Sequence, residues 1–213
     1  NAPESKDNDF TWKDFQAKNN NELVAIFGNF INRVVVLTNK YYNGIVPTPN
    51  DFSEIDEDVL AAVKEFPNTI GKSIERYRFR EASQELMNLA RLGNKYLADE
   101  EPWKVIKLDE KRVQTILYVA LQISTALAVV SEPFLPFTSA NLRTMLCLAH
   151  LPWHKAGEDS LLAPEMKIGK AELLFRKVED AEMEAQLEKL EATKLANQVV
   201  QSQKENIKFE DFS

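Results

Sequence analysis

Three side chains in this sequence have the chemistry and the placement to read a flat ligand with hydrogen-bonding edges: Trp103, Asn29 and Arg33. Trp103 follows Pro102 at the point where a helical pattern carrying Leu86, Leu89, Ala90, Gly93 and Leu97 runs out. Proline lacks the backbone donor and disfavours helix in the residue before it, so the chain must turn there. The indole is then offered at a helix end, where a nucleic-acid base can stack on it. The competing reading is a ring that plugs the core where two helices diverge. Asn29 and Arg33 stand four residues apart, beside the apolar stripe of their helix and not opposite it. An amide with both donors and acceptors next to a planar guanidinium can read a base edge and hold its phosphate or ring. The alternative is that both bond to a neighbouring helix.

Other chemistries find little support. The six glycines are scattered as helix ends and turns, and none forms a phosphate-cradling loop. His150 and His154 have the spacing of two metal ligands on one helix face, but Pro152 between them breaks such a helix. Asp56-Glu57-Asp58 and Asp99-Glu100-Glu101 read as caps and solvated faces, not as acid-base pairs. A serine nucleophile lacks both a nearby histidine and a glycine-serine elbow. The single cysteine, Cys147, excludes an intramolecular disulfide and is expected to be a small buried hydrophobe. By its residues alone the chain is a poor enzyme.

The elements that must position the three side chains follow from hydrophobic spacing. Residues 1–20 read as a lead-in that docks, with Phe10, Trp12 and Phe15 among polar residues. From Asn21, the residues Leu23, Ile26, Phe27, Phe30, Ile31, Val34, Leu37 and Tyr41 share one face of a helix. Asn20 or Asn21 can cap it and Gly44 can end it. A second helix is expected from Ser53 or Asp56 to about Arg78, kinked or broken at Pro67. A third runs from about Arg80 to just before Pro102. The stretch Glu110 to Val130 is apolar on nearly all sides and predicts the central buried helix; Gln114, Thr115, Gln122, Ser124 and Thr125 argue against a membrane span. A fifth helix, from Pro136 or Thr138, ends by Pro152.

These spacings predict an all-α fold, an antiparallel helix bundle over residues 21–152. Residues 153–177 read as an irregular segment that could hold a small hairpin, and 178–204 as a charged C-terminal helix or linker with a narrow apolar stripe. Residues 205–213 resemble the opening of a strand in another domain. With 44% apolar and 28% charged residues among 213, the chain is ordinary for a soluble helical protein. Its 26 basic and 33 acidic residues leave a net charge of −7, which opposes a protein that grips nucleic acid mainly by neutralising phosphates. The polar N-terminus has no apolar core region, so neither a signal peptide nor an anchor is expected, and the expected setting is the cytoplasm.

The first helix, the Pro102-Trp103 turn and the turn Ser131-Glu132-Pro133-Phe134-Leu135-Pro136 together resemble the C-terminal region of the methionyl-tRNA synthetases, across most of the chain. Asn8-Asp9-Phe10-Thr11-Trp12-Lys13-Asp14-Phe15 is similar to the segment that follows the catalytic-loop lysine motif in bacterial members. Asn94, Tyr96, Pro102 and Trp103 match the family's Asn-x-Tyr and Pro-Trp signature. The resemblance implies an anticodon-binding helix bundle of the class I synthetase type. It implies that Trp103 stacks on anticodon bases while Asn29 and Arg33 read the cytosine of a CAU anticodon. Pro102 would shape the turn, and Asn94 and Tyr96 would support the site. The implied partners are tRNA(Met), the protein's own catalytic domain and an OB-type tRNA-binding domain that dimerises. No cofactor is implied for these residues; ATP and Mg²⁺, with Zn²⁺ in some members, belong to the catalytic domain, whose nucleotide-binding motifs do not occur here.

Overall fold

The structure is a computed structural model that describes residues 10–203, with side chains described up to residue 197. The strand expected in 205–213 lies outside the described residues. Helix α1, Trp12–Lys18, opens at Thr11, whose hydroxyl accepts the Asp14 N–H at 3.1 Å. It does not stop at the asparagines. A π-helical stretch, Asn19–Gly28, carries the chain without interruption into α2, Asn29–Tyr42, which ends at Asn43 in the left-handed region followed by Gly44 at φ +75°. The expected start of a helix at Asn21 is thereby corrected. Neither Asn20 nor Asn21 is a cap, because both lie inside the continuous helical run, and the amides of Asn19 and Asn20 are engaged with a distant segment. The Asn20 side chain donates to the Val178 carbonyl and accepts the Val178 N–H, each at 2.9 Å. Asn19 donates to the Arg176 carbonyl at 3.0 Å, and Gln16 to the Val178 carbonyl at 3.1 Å.

Helix α3, Glu54–Glu75, begins with a reciprocal cap in which Ser53 and Asp56 satisfy each other's backbone N–H. It runs through Pro67 as one helix, so of the expected kink or break the break does not occur. The ring is buried, and α3 lies against both α4, Phe79–Glu100, and α6, Glu110–Val130, so tertiary packing holds the helix where one backbone bond is lost. The short helix α5, Pro102–Val105, separates α4 from α6. Seventeen of the 21 residues of α6 are buried, so this helix is the axis that the others cover. It is long and apolar enough to cross a membrane by composition alone, yet 94% of its apolar window is buried inside the protein. Helix α7, Pro136–Met145, packs on α6, and α8, Asp180–Gln203, reaches back to α1.

The segment between α7 and α8 is irregular, with one short 3₁₀ turn at Trp153–Lys155. Its β-type pairing is not an internal hairpin but an isolated bridge from Lys167 to Ile45 in the α2–α3 connector. Buried Gln122 anchors the same segment to α6, donating to the Leu162 carbonyl at 2.9 Å and accepting its N–H at 3.1 Å. Trp153 lies against the interior of α3 beside Gly71, donating its indole N–H to the Pro67 carbonyl at 3.2 Å. Cys147 is exposed, contrary to the expectation of burial. Met145 and Leu146 fill the core at the end of α7, and a left-handed turn at Cys147, φ +52°, then directs the thiol outward.

Candidate nucleic-acid interface

Asn29 and Arg33 occupy the first turns of α2, one helical turn apart. Asn29 is exposed, and its amide has no hydrogen-bond partner among the described residues. The Arg33 guanidinium lies over the Trp103 ring, 4.7 Å from its centroid. The indole is half-buried. Three residues from two distant parts of the chain thus form one surface of amide, guanidinium and indole. A cation over an aromatic face is attracted by the ring's electron density, which fixes the otherwise mobile arginine. The planar stack can accept a base on either member.

Two sets of contacts hold this surface in place. The first joins α4 to the helix that carries Asn29. Asn94 donates to the Ile26 carbonyl at 2.8 Å and to the Ala90 carbonyl at 3.2 Å, and Arg91 pairs with Glu22 at 2.5 Å. Between them the far end of the Phe30 ring lies against Gly93, where an added Cβ would stand 2.5 Å from it. Glycine is required there by that close approach. Asn94 therefore positions α2 from behind, at the carbonyl three residues before Asn29.

The second set clasps the loop that carries Trp103. Arg112 pairs with Glu100 at 2.7 Å, closing the ends of the segment that contains α5, and the same guanidinium grips fully buried Asp56 with both terminal nitrogens. Tyr96 donates its hydroxyl to Asp56 at 2.5 Å, and the Asp109 carboxylate accepts the Arg112 N–H at 2.9 Å. Burial alone would raise the Asp56 pKa; the bonds from Arg112, Tyr96 and Ser53 outweigh it and hold the carboxyl below its ordinary range. Burial and the Asp56 bond push the Tyr96 phenol up. Burial of Arg112 is likewise outweighed by Asp56 and Glu100, so the guanidinium stays charged. The starts of α3 and α6 and the end of α4 are locked together.

This arrangement divides the residues singled out by the sequence. Asn29, Arg33 and Trp103 share one surface. Asn94 supports it through backbone contacts. Tyr96 is buried with its hydroxyl committed to Asp56, and Pro102 is buried at the first position of α5, so neither presents a surface to a ligand. Two further residues extend the face: Val36, 43% exposed, and Lys40, seven and eleven residues beyond Asn29. The i, i+4, i+7, i+11 spacing could have found both. His150 faces Glu132 at 3.4 Å, and no cluster of three metal-binding side chains occurs among the described residues.

The family model for the anticodon binding domain of methionyl tRNA ligase matches residues 46–195, more than half of the chain. The chain belongs to the methionyl-tRNA ligase family. A second family model, for the class I methionine-type tRNA synthetases, matches residues 1–35 and so takes in Asn29 and Arg33. Curated methionine–tRNA ligases from Christiangramia forsetii and Flavobacterium psychrophilum are 67% and 63% identical over the whole of this chain. The chain spans about a third of their length, 32% in each case. The free-state methionyl-tRNA synthetase of Mycobacterium tuberculosis has the same fold at 20% identity, with a TM-score of 0.75 over 80% of this chain and 35% of that one. The chain is thus the anticodon-binding region of a methionyl-tRNA ligase family member.

Proposed function

We propose that the surface of Asn29, Arg33 and Trp103 reads the CAU anticodon of tRNA(Met), so that a full-length ligase carrying this chain attaches methionine to the correct tRNA. The observation that carries the reading is the Arg33 guanidinium stacked on Trp103 one helical turn from the unpartnered amide of Asn29. Trp103 supplies a face for stacking. Asn29 and Arg33 supply donors and an acceptor for the edge of cytosine, and a bidentate edge contact contributes about 1–3 kcal/mol of discrimination. Reading of this kind needs few phosphate contacts, which is compatible with a net charge of −7. Asn94 and the Asp56–Arg112 clasp act through the positions of α2 and α5 and touch no base.

The test is binding of the full-length ligase to a stem-loop with a CAU anticodon and to a matched loop with its cytosine replaced, at low and moderate salt. The expected result is a preference for the CAU loop that survives added salt. Stacking on an aromatic side chain is worth about 1–3 kcal/mol per base, so Trp103→Ala should lower kcat/KM for tRNA roughly ten- to a hundredfold with the bundle still folded. Equal binding of both loops, or an unchanged kcat/KM, would leave the three residues as packing groups in a scaffold with no role in RNA recognition.

A further inference from the structure

At the opposite end of α4 from Trp103, the chain reads Arg76-Tyr77-Arg78-Phe79-Arg80. Three of the protein's eight arginines fall within these five residues of an otherwise acidic chain. The other five face partners outside this turn. Arg33 lies on Trp103, Arg112 grips Asp56, and Arg91, Arg143 and Arg176 face Glu22, Glu132 and Glu182. In the turn, Arg76 has no ion-pair partner among the described residues. Arg78 stands 3.4 Å from Glu81, with both side chains half exposed, while Ser73 donates to the same carboxylate at 2.8 Å. Every residue from Glu75 to Glu81 is exposed.

The aromatic rings in this turn are not explained by the fold. Tyr77 is 78% exposed and Phe79 45%, and they meet edge to face at 6.2 Å between centroids. Tyr77 also sits in the left-handed region at φ +59°. Its N–H bonds to the Ile74 carbonyl at 2.9 Å, and the Arg78 N–H to the Ser73 carbonyl at 2.8 Å. This pair of bonds ends many helices, and the left-handed residue in it is usually glycine, which meets no steric penalty there. The chain instead places one of its bulkiest side chains at that position and directs the ring into water. A bulky residue held in that region is a strain that packing does not repay here.

We propose that the Arg76–Arg80 turn is a second RNA contact, in which Tyr77 and Phe79 pack on an unpaired base or ribose and Arg76 and Arg78 hold adjacent phosphates. Charge complementarity selects a polyanion, and the exposed rings select one with flat faces; RNA offers both. The inference rests on the anticodon reading and extends it. Helix α4 has 22 residues and at 1.5 Å per residue separates the turn from the Trp103 end by about 30 Å. The contact therefore falls on the body of the tRNA, away from the anticodon loop, and adds affinity without sequence information.

The experiment uses the full-length ligase with Arg76→Gln and Arg78→Gln, and separately with Tyr77→Asn, which keeps a residue tolerant of the left-handed backbone. Binding to whole tRNA(Met) is measured across a salt series and compared with binding to the CAU stem-loop alone. The expected result for the double variant is about a tenfold loss for whole tRNA, with the slope of log K against log salt reduced by roughly 1–2. Stem-loop affinity and preference for the CAU loop stay as they were. Unchanged whole-tRNA affinity and slope overturn the proposal. So does a parallel loss of methionine-dependent pyrophosphate exchange, a reaction that needs no tRNA, because the turn would then dock on protein. If Trp103→Ala leaves the CAU preference intact while the turn variants still weaken whole-tRNA binding, the anticodon reading fails and this contact stands.

Discussion

The two ends of helix α4 present aromatic side chains in opposite ways. At the C-terminal end Trp103 is half-buried, covered by Arg33 and backed by a network in which buried Asp56 and Tyr96 join the partly buried Arg112 and Glu100. At the N-terminal end Tyr77 and Phe79 stand in water on a strained turn, flanked by arginines. Reading a base edge requires donors held within a fraction of an ångström, so its side chains need rigid support. Holding a phosphate or covering a ribose tolerates mobile side chains. The difference predicts that substitutions beneath Trp103 lower stability and selectivity together, while substitutions at the turn lower affinity without lowering stability or selectivity.

The largest effect should come from the clasp. Asp56→Ala removes the shared acceptor of Arg112 and Tyr96 and leaves both partly or wholly buried without it. Breaking a buried ion pair by one partner costs about 3–5 kcal/mol, to be measured as a lower denaturant midpoint. The Asp56 pKa is lowered in the folded protein from an ordinary 3.8, so the unfolded chain takes up the proton first. Its contribution is complete above about pH 4 and is lost as pH falls through the folded value. The acid limb of the stability profile should flatten in the variant. An unchanged midpoint and acid limb would remove the distinction between a supported and an unsupported end.

Gly93→Ala probes the other support. Its Cβ would meet the Phe30 ring at 2.5 Å, and overpacking of this kind costs about 1–3 kcal/mol. Because Phe30 adjoins Asn29, the preference for the CAU loop should weaken with stability. Adding Phe30→Leu, which makes room, should restore part of both. Full selectivity in a destabilised Gly93→Ala protein would show that the α2–α4 spacing does not set the geometry of reading.

Much of this was legible in the sequence, for identifiable reasons. The bundle follows from apolar spacing, and α6 announces itself because a helix apolar on all sides must be central. The surface residues Asn29, Arg33 and Trp103 were legible because helix periodicity and a proline stop fix direction locally. What sequence missed was set by distant partners. The π-helical stretch depends on amides of Asn19 and Asn20 bonding to residues near Val178, a pairing no local pattern reveals. Tyr96 could be placed only by knowing that Asp56, forty residues earlier, reaches its hydroxyl. Cys147 sits in an apolar run, yet a single left-handed residue turned it outward. The Arg-aromatic alternation at 76–80 was visible as letters, but its exposure followed only from the helix ending there.

The smallest expected change in stability is also the sharpest test of the contrast. Tyr77→Asn keeps the helix-ending bonds, since both are made by backbone N–H groups, and puts at φ +59° a residue that tolerates the left-handed region. If the ring only packs on Phe79, its loss is uncompensated and stability falls. If the ring is held in water for a ligand, relief of backbone strain outweighs the lost contact, and the variant should gain about 0.5 kcal/mol. Thermal unfolding of the free protein resolves the sign, at about 1–2 °C for a chain of this length. A gain in stability combined with a loss of whole-tRNA affinity is a trade that a purely structural tyrosine does not make.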